Sequence, residues 1–197
     1  MGRGPLAGPV VAAAVWLPER IELRLLELGL NDSKKLSAER REMLAAIIRS
    51  DALSGVGLID AARIDEINIL KASLEAMGMA VDELDGAMEH LSPNLLLIDG
   101  NQTISPHPLP NVRQHAMVRG DQRAVCIAAA SVVAKVCRDE IMVGYDELYP
   151  GYGFARHKGY PSAEHTRALA RLGPCPIHRR SYQGVDPKRS FLREKSS

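Results

Sequence analysis

The sequence predicts an α/β fold with a helical C-terminal extension. Three observations predict it. Four apolar runs have the length and residue types of strands, stretches with an apolar residue every three or four positions alternate with them, and the composition changes near residue 149. Strands alternating with helices imply a sheet with helices packed on its faces.

The elements follow in order. Val10 to Leu17 is apolar and is closed by Pro18, so it reads as a buried strand after a Gly- and Pro-rich opening. Ser37 is placed to cap a helix running to about Ser50, on which Met43, Leu44, Ile47 and Ile48 recur at helical spacing. Leu53 to Ile59 alternates as a strand. Ile67, Leu70, Leu74, Met77, Val81, Leu84 and Met88 predict one long amphipathic helix from about Asp65 to His90, with Asp65 or Asp60 as its cap. Asn94 to Ile98 is a short apolar strand ending in Asp99-Gly100. Residues 101–111 hold three prolines and read as a loop, followed by a strand from Val112 to Val118 that Gly120-Asp121 closes. Gln122 to Tyr149 forms a second long helix, whose CIAAASVVAK run permits close packing. After a Gly- and Pro-rich loop over 150–161, Ser162 caps a final helix that stops before Gly173.

A chain of 197 residues can bury a core as one domain without disulfide or zinc staples. Its apolar runs fall short of the roughly 20 residues that cross a bilayer. The opening MGRGPLAGPV lacks the long apolar stretch of a signal peptide, so a cytoplasmic protein with no membrane association is expected. Cys126, Cys137 and Cys175 form neither an even secretory set nor a CxxC pair and read as idle or buried thiols.

The net charge of +1 conceals an asymmetry. Residues 1–149 carry 15 Lys and Arg against 21 Asp and Glu, whereas residues 150–197 carry 10 against 3. Seven of the eight aromatic residues lie in the last 53 positions, so cations and rings interleave there as they do on surfaces that bind phosphates and bases. The same rings would also serve to anchor the tail while its cations stay solvated. Charge alone leaves both readings open.

Asp99 and Asp121 each stand at the end of an apolar strand beside a glycine. Two carboxylates about 4 Å apart repel by roughly 4 kcal/mol at an effective dielectric near 20, so a shared cleft calls for a cation between them. Oxygen donors favour Mg²⁺ or Mn²⁺, ions that support phosphoryl transfer. A turn at Asp99 and a helix cap at Asp121 are the plainer alternatives. The opening GRGPLAG lacks the Gly-Lys-Ser/Thr of a P-loop, but its bare backbone could approach a ribose closely.

Eight blocks in order, GRGPLAGPVVAAAV, NDSKKLS, INILKASLEAM, LLLIDGN, VRGD, AAASVVAKVCRD, YGFARHKGYPS and HRRSY, together resemble ribonuclease HII over nearly the whole chain. The resemblance implies an RNase H-like mixed sheet flanked by helices. Residues 1–149 would form the catalytic domain, with its first strand truncated, and residues 150–197 a substrate-binding extension of the same domain. It also implies an endoribonuclease, acting as a monomer on RNA-DNA hybrids and on duplex DNA containing ribonucleotides. Cleavage by two-metal hydrolysis, with Mn²⁺ or Mg²⁺, would leave 5′-phosphate and 3′-hydroxyl ends.

Residue by residue, the family's metal-binding carboxylates match Asp99 in LLLIDGN and Asp121 in VRGD. Gly2, Arg3 and Gly4 match the element whose backbone senses the 2′-hydroxyl, and Tyr160 in HKGYPS matches the tyrosine that packs on the neighbouring sugar. Lys34, Lys35, Arg179 and Arg180 are the phosphate-contact candidates. Lys135 and Arg138 either face the site or pair with Asp139 and Glu140. The family pattern also has an Asp-Glu pair and then one variable residue before the glycine motif; Met1 falls on the variable position, and the pair is not in this sequence. A chain without that pair is expected to hold its ions weakly and to be nearly inactive, which makes a hybrid-binding protein without catalysis the alternative. An α/β enzyme of small molecules with an incidental basic tail is a more distant one.

Overall fold

The structure is a computed structural model that describes residues 1–30, 36–88, 93–106 and 109–186. Its four strands are β1 (Val10–Trp16), β2 (Leu53–Ile59), β3 (Leu95–Asp99) and β4 (Arg113–Met117), at the positions where the apolar runs predict them. Among the described residues β1 pairs with β2, and β3 pairs with β4, as two separate ladders. β3 and β4 run parallel with Asp99 opposite Met117, so both strands end at the same edge.

The helices show where local chemistry overrides periodicity. Helix α1 (Glu19–Glu27) follows Pro18, a stretch to which the sequence analysis assigns no element. Helix α2 (Ala38–Asp51) begins as expected, with Ser37 Oγ accepting from the Arg40 N–H. The single helix expected from Asp65 is in fact two, α3 (Ala61–Ile67) and α4 (Ile69–Ala87). Asp60 caps the first by accepting from the Arg63 N–H at 2.8 Å. Asn68 breaks the run: its φ of 70° lies in the left-handed region that asparagine tolerates, and its Oδ1 accepts from the N–H groups of Leu70 and Lys71, starting the next helix. Helix α5 (Val125–Leu148) follows a 3-10 turn at Gly120–Gln122. The loop expected over 150–161 contains one helical turn, α6 (Phe154–His157). Helix α7 (Ala163–Leu172) has the expected Ser162 cap and ends at Gly173, with φ of 72°.

The chain divides into two compact units. The first comprises Met1, Val11–Leu58 and Ser73–Cys137. Its core joins Ile21 and Leu25 of α1, Leu44 and Ile48 of α2, and Ala128, Ala129, Val132 and Val133 of α5. Here α4 lies against β2 closely enough that a Cβ on Gly57 would sit 1.9 Å from the Ala76 carbonyl oxygen. The second unit comprises Gly2–Val10, Ile59–Ala72 and the chain from Arg138. Ala7, Met142, Tyr152, Phe154, Ala168, Cys175 and Ile177 form its core, with Tyr145 and Tyr149 packed against it. Tyr152 and Phe154 of the tail therefore act as anchors, with Tyr145 and Tyr149 at the end of α5 packed beside them. The cysteines are free, with Cys175 buried and the other two partly so.

Candidate functional sites

In the first unit, the parallel pairing of β3 and β4 brings Asp99 and the Gly120–Gln122 turn to one edge. The Gly120 N–H donates to Asp99 Oδ1 at 3.0 Å, tying that carboxylate to the residue before Asp121. Arg119 takes a left-handed conformation, and a Cβ on Gly120 would meet Ile127 Cδ1 at 2.5 Å, so the turn is shaped by glycine at this position. Asp121 is 5% exposed, whereas Asp99 faces solvent. Both donors are carboxylate oxygens, which in kind suit a hard divalent cation. No group of three or more His, Cys, Asp and Glu placed to hold a metal ion together occurs among the described residues.

The second unit holds the glycine motif. Gly2 is buried with φ of 83°, and a Cβ there would lie 2.2 Å from Arg138 Nε. Arg3 and Gly4, in contrast, are exposed. Tyr160 stands beside them: a Cβ on Gly4 would rest 3.8 Å from its ring, and the adjacent Gly159 carbonyl accepts from the Leu6 N–H at 2.8 Å. Tyr160 remains 41% exposed, with the Arg138 guanidinium carbon 5.8 Å from its ring centroid.

Two buried arginines hold this loop from within. Arg138 donates to the carbonyls of Pro9, Ala7 and Lys158 at 3.0 to 3.1 Å, a role as a backbone support that neither alternative from the sequence describes. Arg179 donates to the carbonyls of Gly8, Gly2 and Arg3 and to the Tyr182 hydroxyl. Burial, followed by the charge of Arg179, brings Arg138 down to about 10, and burial lowers Arg179 too. Arg179 was expected at a phosphate; its enclosure and its carbonyl partners instead make it a support for the glycine motif. Its neighbour Arg180 is exposed, and the Arg180 N–H donates to Asp65 at 2.8 Å beside the Ser181 N–H and hydroxyl. Lys34 and Lys35 lie outside the described residues.

The sequence profile of ribonuclease HII matches residues 1–185. Ribonuclease HII of Geobacter metallireducens is 55% identical over 185 residues, covering 93% of this chain and 81% of that protein. The chain belongs to the ribonuclease HII family. Ribonuclease HII of Enterococcus faecalis, at 50% identity, covers 94% of this chain and 68% of its own length. The crystal structure of ribonuclease H2 from Pyrococcus horikoshii OT3 has a TM-score of 0.76 at 23% identity, covering all of this chain and 96% of that one. The fold is thus the RNase H-like α/β fold. A ribonuclease HII from Archaeoglobus fulgidus, solved in complex with PCNA, has a TM-score of 0.66 at 30% identity, covering 87% of this chain and 83% of that one. Membership in ribonuclease HII makes this protein a ribonuclease H-type nuclease, a hydrolase.

Two further candidates carry no signal in the sequence. His165 and His178 are both buried and are hydrogen-bonded to one another in the second unit. In sequence they are ordinary histidines thirteen positions apart, and only the fold joins them.

Proposed function

We propose that the protein is an endonuclease that cuts the RNA of RNA-DNA hybrids and single ribonucleotides embedded in duplex DNA. It would cleave on the 5′ side of the ribonucleotide to leave 5′-phosphate and 3′-hydroxyl ends. The observation that most supports the reading is the Gly120 N–H held against Asp99 Oδ1, because it sets one carboxylate beside the peptide that leads to the other. Asp99 and Asp121 would hold Mn²⁺ or Mg²⁺. When bound, such ions supply an activated water and neutralise charge on the leaving oxygen.

The remaining roles belong to the chain's own groups. Asp99, exposed at its strand end, stays open to further oxygen donors, while buried Asp121 fixes its own position. Gly4 offers an uncovered backbone to the ribose, and the exposed face of Tyr160 packs on the adjoining sugar. Arg3, Arg180, Lys34 and Lys35 contact phosphates, and the basic segment 150–197 serves as the substrate-binding extension. The working form is a cytoplasmic monomer; no helix among the described residues is long and apolar enough to cross a membrane.

The test is cleavage of a duplex carrying one ribonucleotide, with Mg²⁺ and with Mn²⁺, beside binding of the same duplex. Asp99→Asn and Asp121→Asn should each lower cleavage at least about a hundredfold. Undiminished cleavage by both variants would overturn the assignment of the acidic pair. Tight binding by the parent without cleavage under either ion would instead establish a hybrid-binding protein.

A further inference from the structure

Three histidines gather around Phe154 in the second unit. His157 stacks on His165 with ring centroids 4.5 Å apart, and Phe154 meets His165 edge-on at 5.5 Å. His165 Nε2 and His178 Nε2 lie 3.1 Å apart, an arrangement that needs a single proton between two nitrogens. At one end of the pair, the Cys175 N–H donates to His178 Nδ1 at 3.0 Å. At the other, His165 Nδ1 lies 3.0 Å from the carbonyl oxygen of Tyr160.

The two ends fix every proton. A carbonyl only accepts, so His165 carries its hydrogen on Nδ1 and presents Nε2 as an acceptor. A peptide N–H only donates, so Nδ1 of His178 is bare and its hydrogen sits on Nε2. The nitrogen that must donate therefore faces the nitrogen that must accept, and the chain runs in one direction from Cys175 to Tyr160. A second proton on either ring would set two N–H groups against each other.

We infer that His165 and His178 are positioning residues for Tyr160, a relay of two neutral imidazoles of fixed tautomer that holds the Tyr160 carbonyl and so aims its exposed ring. The inference rests on the reading of Tyr160 as the residue that packs on the sugar. The Ser162 cap adds to the restraint, because its Oγ accepts from the His165 N–H at 3.1 Å and sets His165 in the first turn of α7. The titratable and charged groups that face the pair are His157 and Tyr152 from the α6 segment, and Cys175 and Arg180 from the segment after α7. Burial pushes the Tyr152 hydroxyl and the Cys175 thiol upward, so both stay neutral and neither rewards a proton on the rings. Burial likewise lowers both histidines. His157 stands outside the relay: its Nδ1 accepts from the Gly159 N–H, leaving Nε2 to donate to the Tyr152 carbonyl.

The decisive experiment is a double-mutant cycle on the full chain, read by fluorescence anisotropy with a duplex carrying one ribonucleotide and with the same duplex made only of DNA. His165→Ala should weaken the ribonucleotide duplex about fivefold to tenfold, the worth of one hydrogen bond, and leave the DNA duplex unchanged. His165→Asn, whose amide N–H takes the place of Nδ1, should recover most of that loss. In a Tyr160→Ala background, His165→Ala should cost nothing further. The parent's preference for the ribonucleotide should hold through the ordinary histidine range and fade only at lower pH, where the buried rings take up a proton, while that of His165→Asn stays level. Nitrogen-15 spectra of the unaltered protein at neutral pH should show the hydrogen on Nδ1 of His165 and on Nε2 of His178. Reversed tautomers, a charged imidazole at neutral pH, or losses that add fully in the double variant would overturn the relay alone. A Tyr160→Ala protein that prefers the ribonucleotide as strongly as the parent would overturn the reading of Tyr160, and the relay with it.

Discussion

Arg179 Nη2 donates to the carbonyl oxygen of Gly2 at 2.6 Å from a side chain with no exposure to solvent. The same nitrogen reaches the Gly8 carbonyl at 2.9 Å, so one guanidinium spans both ends of the glycine-rich segment. Arg138 takes the intervening Ala7 and the following Pro9. A planar fork of five N–H donors can satisfy several carbonyls at once, which a lysine ammonium on a flexible stem cannot do in the same geometry. Arg179→Lys should therefore lower the free energy of unfolding by about 2 to 4 kcal/mol in urea titrations, since it strands buried carbonyls and a buried charge. Parental stability in that variant would show that the fork is dispensable.

Arg180 should behave differently from its neighbour. It is exposed, and its backbone rather than its guanidinium is held by Asp65. If Arg180 meets a phosphate, Arg180→Ala lowers the slope of log Kd against log salt by about one unit and weakens all duplexes alike. Arg179→Lys should leave that slope unchanged. Equal slopes for parent and Arg180→Ala would remove Arg180 from the phosphate contacts.

The glycines of the motif separate folding from recognition. At Gly2 a Cβ would overlap Arg138 in a left-handed backbone, so Gly2→Ala should unfold at lower urea than the parent. At Gly4 the φ is ordinary, and the neighbour of a Cβ would be the Tyr160 ring at 3.8 Å, normal contact. Gly4→Ala should keep parental stability and yet lose preference for a ribonucleotide, because the methyl covers backbone that a ribose would approach. Unchanged discrimination in a stable Gly4→Ala protein would show that this face does not meet the sugar.

The sequence made the strands, the caps at Ser37 and Ser162, and the strand-end aspartates legible, because each depends on a few adjacent residues. The break at Asn68 was hidden beneath unbroken apolar periodicity, since a single left-handed residue leaves the spacing of its neighbours intact. Helix α1 lacked a side-chain cap that would announce it. Arg179 read as a surface cation because HRRSY places two arginines side by side, and only the packing of Gly2–Pro9 shows which one turns inward. The His165–His178 pair depends on a contact across α7 and the segment after it, which local pattern does not encode.

Acid should weaken the second unit through the same histidines. In the folded chain His178 is lowered from its ordinary 6.5 to about 4, mainly by burial and then by His165, and His165 is lowered by burial. The unfolded chain therefore binds more protons than the folded one below pH 6.5. Stability is complete above that value, declines as pH falls, and for His178 levels off once the folded ring itself takes up a proton near pH 4. For His178 alone the loss amounts to about 3 kcal/mol across the window. The two rings share one hydrogen bond, so they titrate as a pair, and the measured curve belongs to both. Carboxylates also titrate at the lower end, which makes the difference between proteins the useful quantity. Urea unfolding at pH 7.5, 5.5 and 4.5 should show His178→Gln, which retains an N–H donor at the outer position and does not titrate, losing less stability between the first two pH values than the parent. Parallel curves for parent and variant would mean that His178 is not held neutral by the fold.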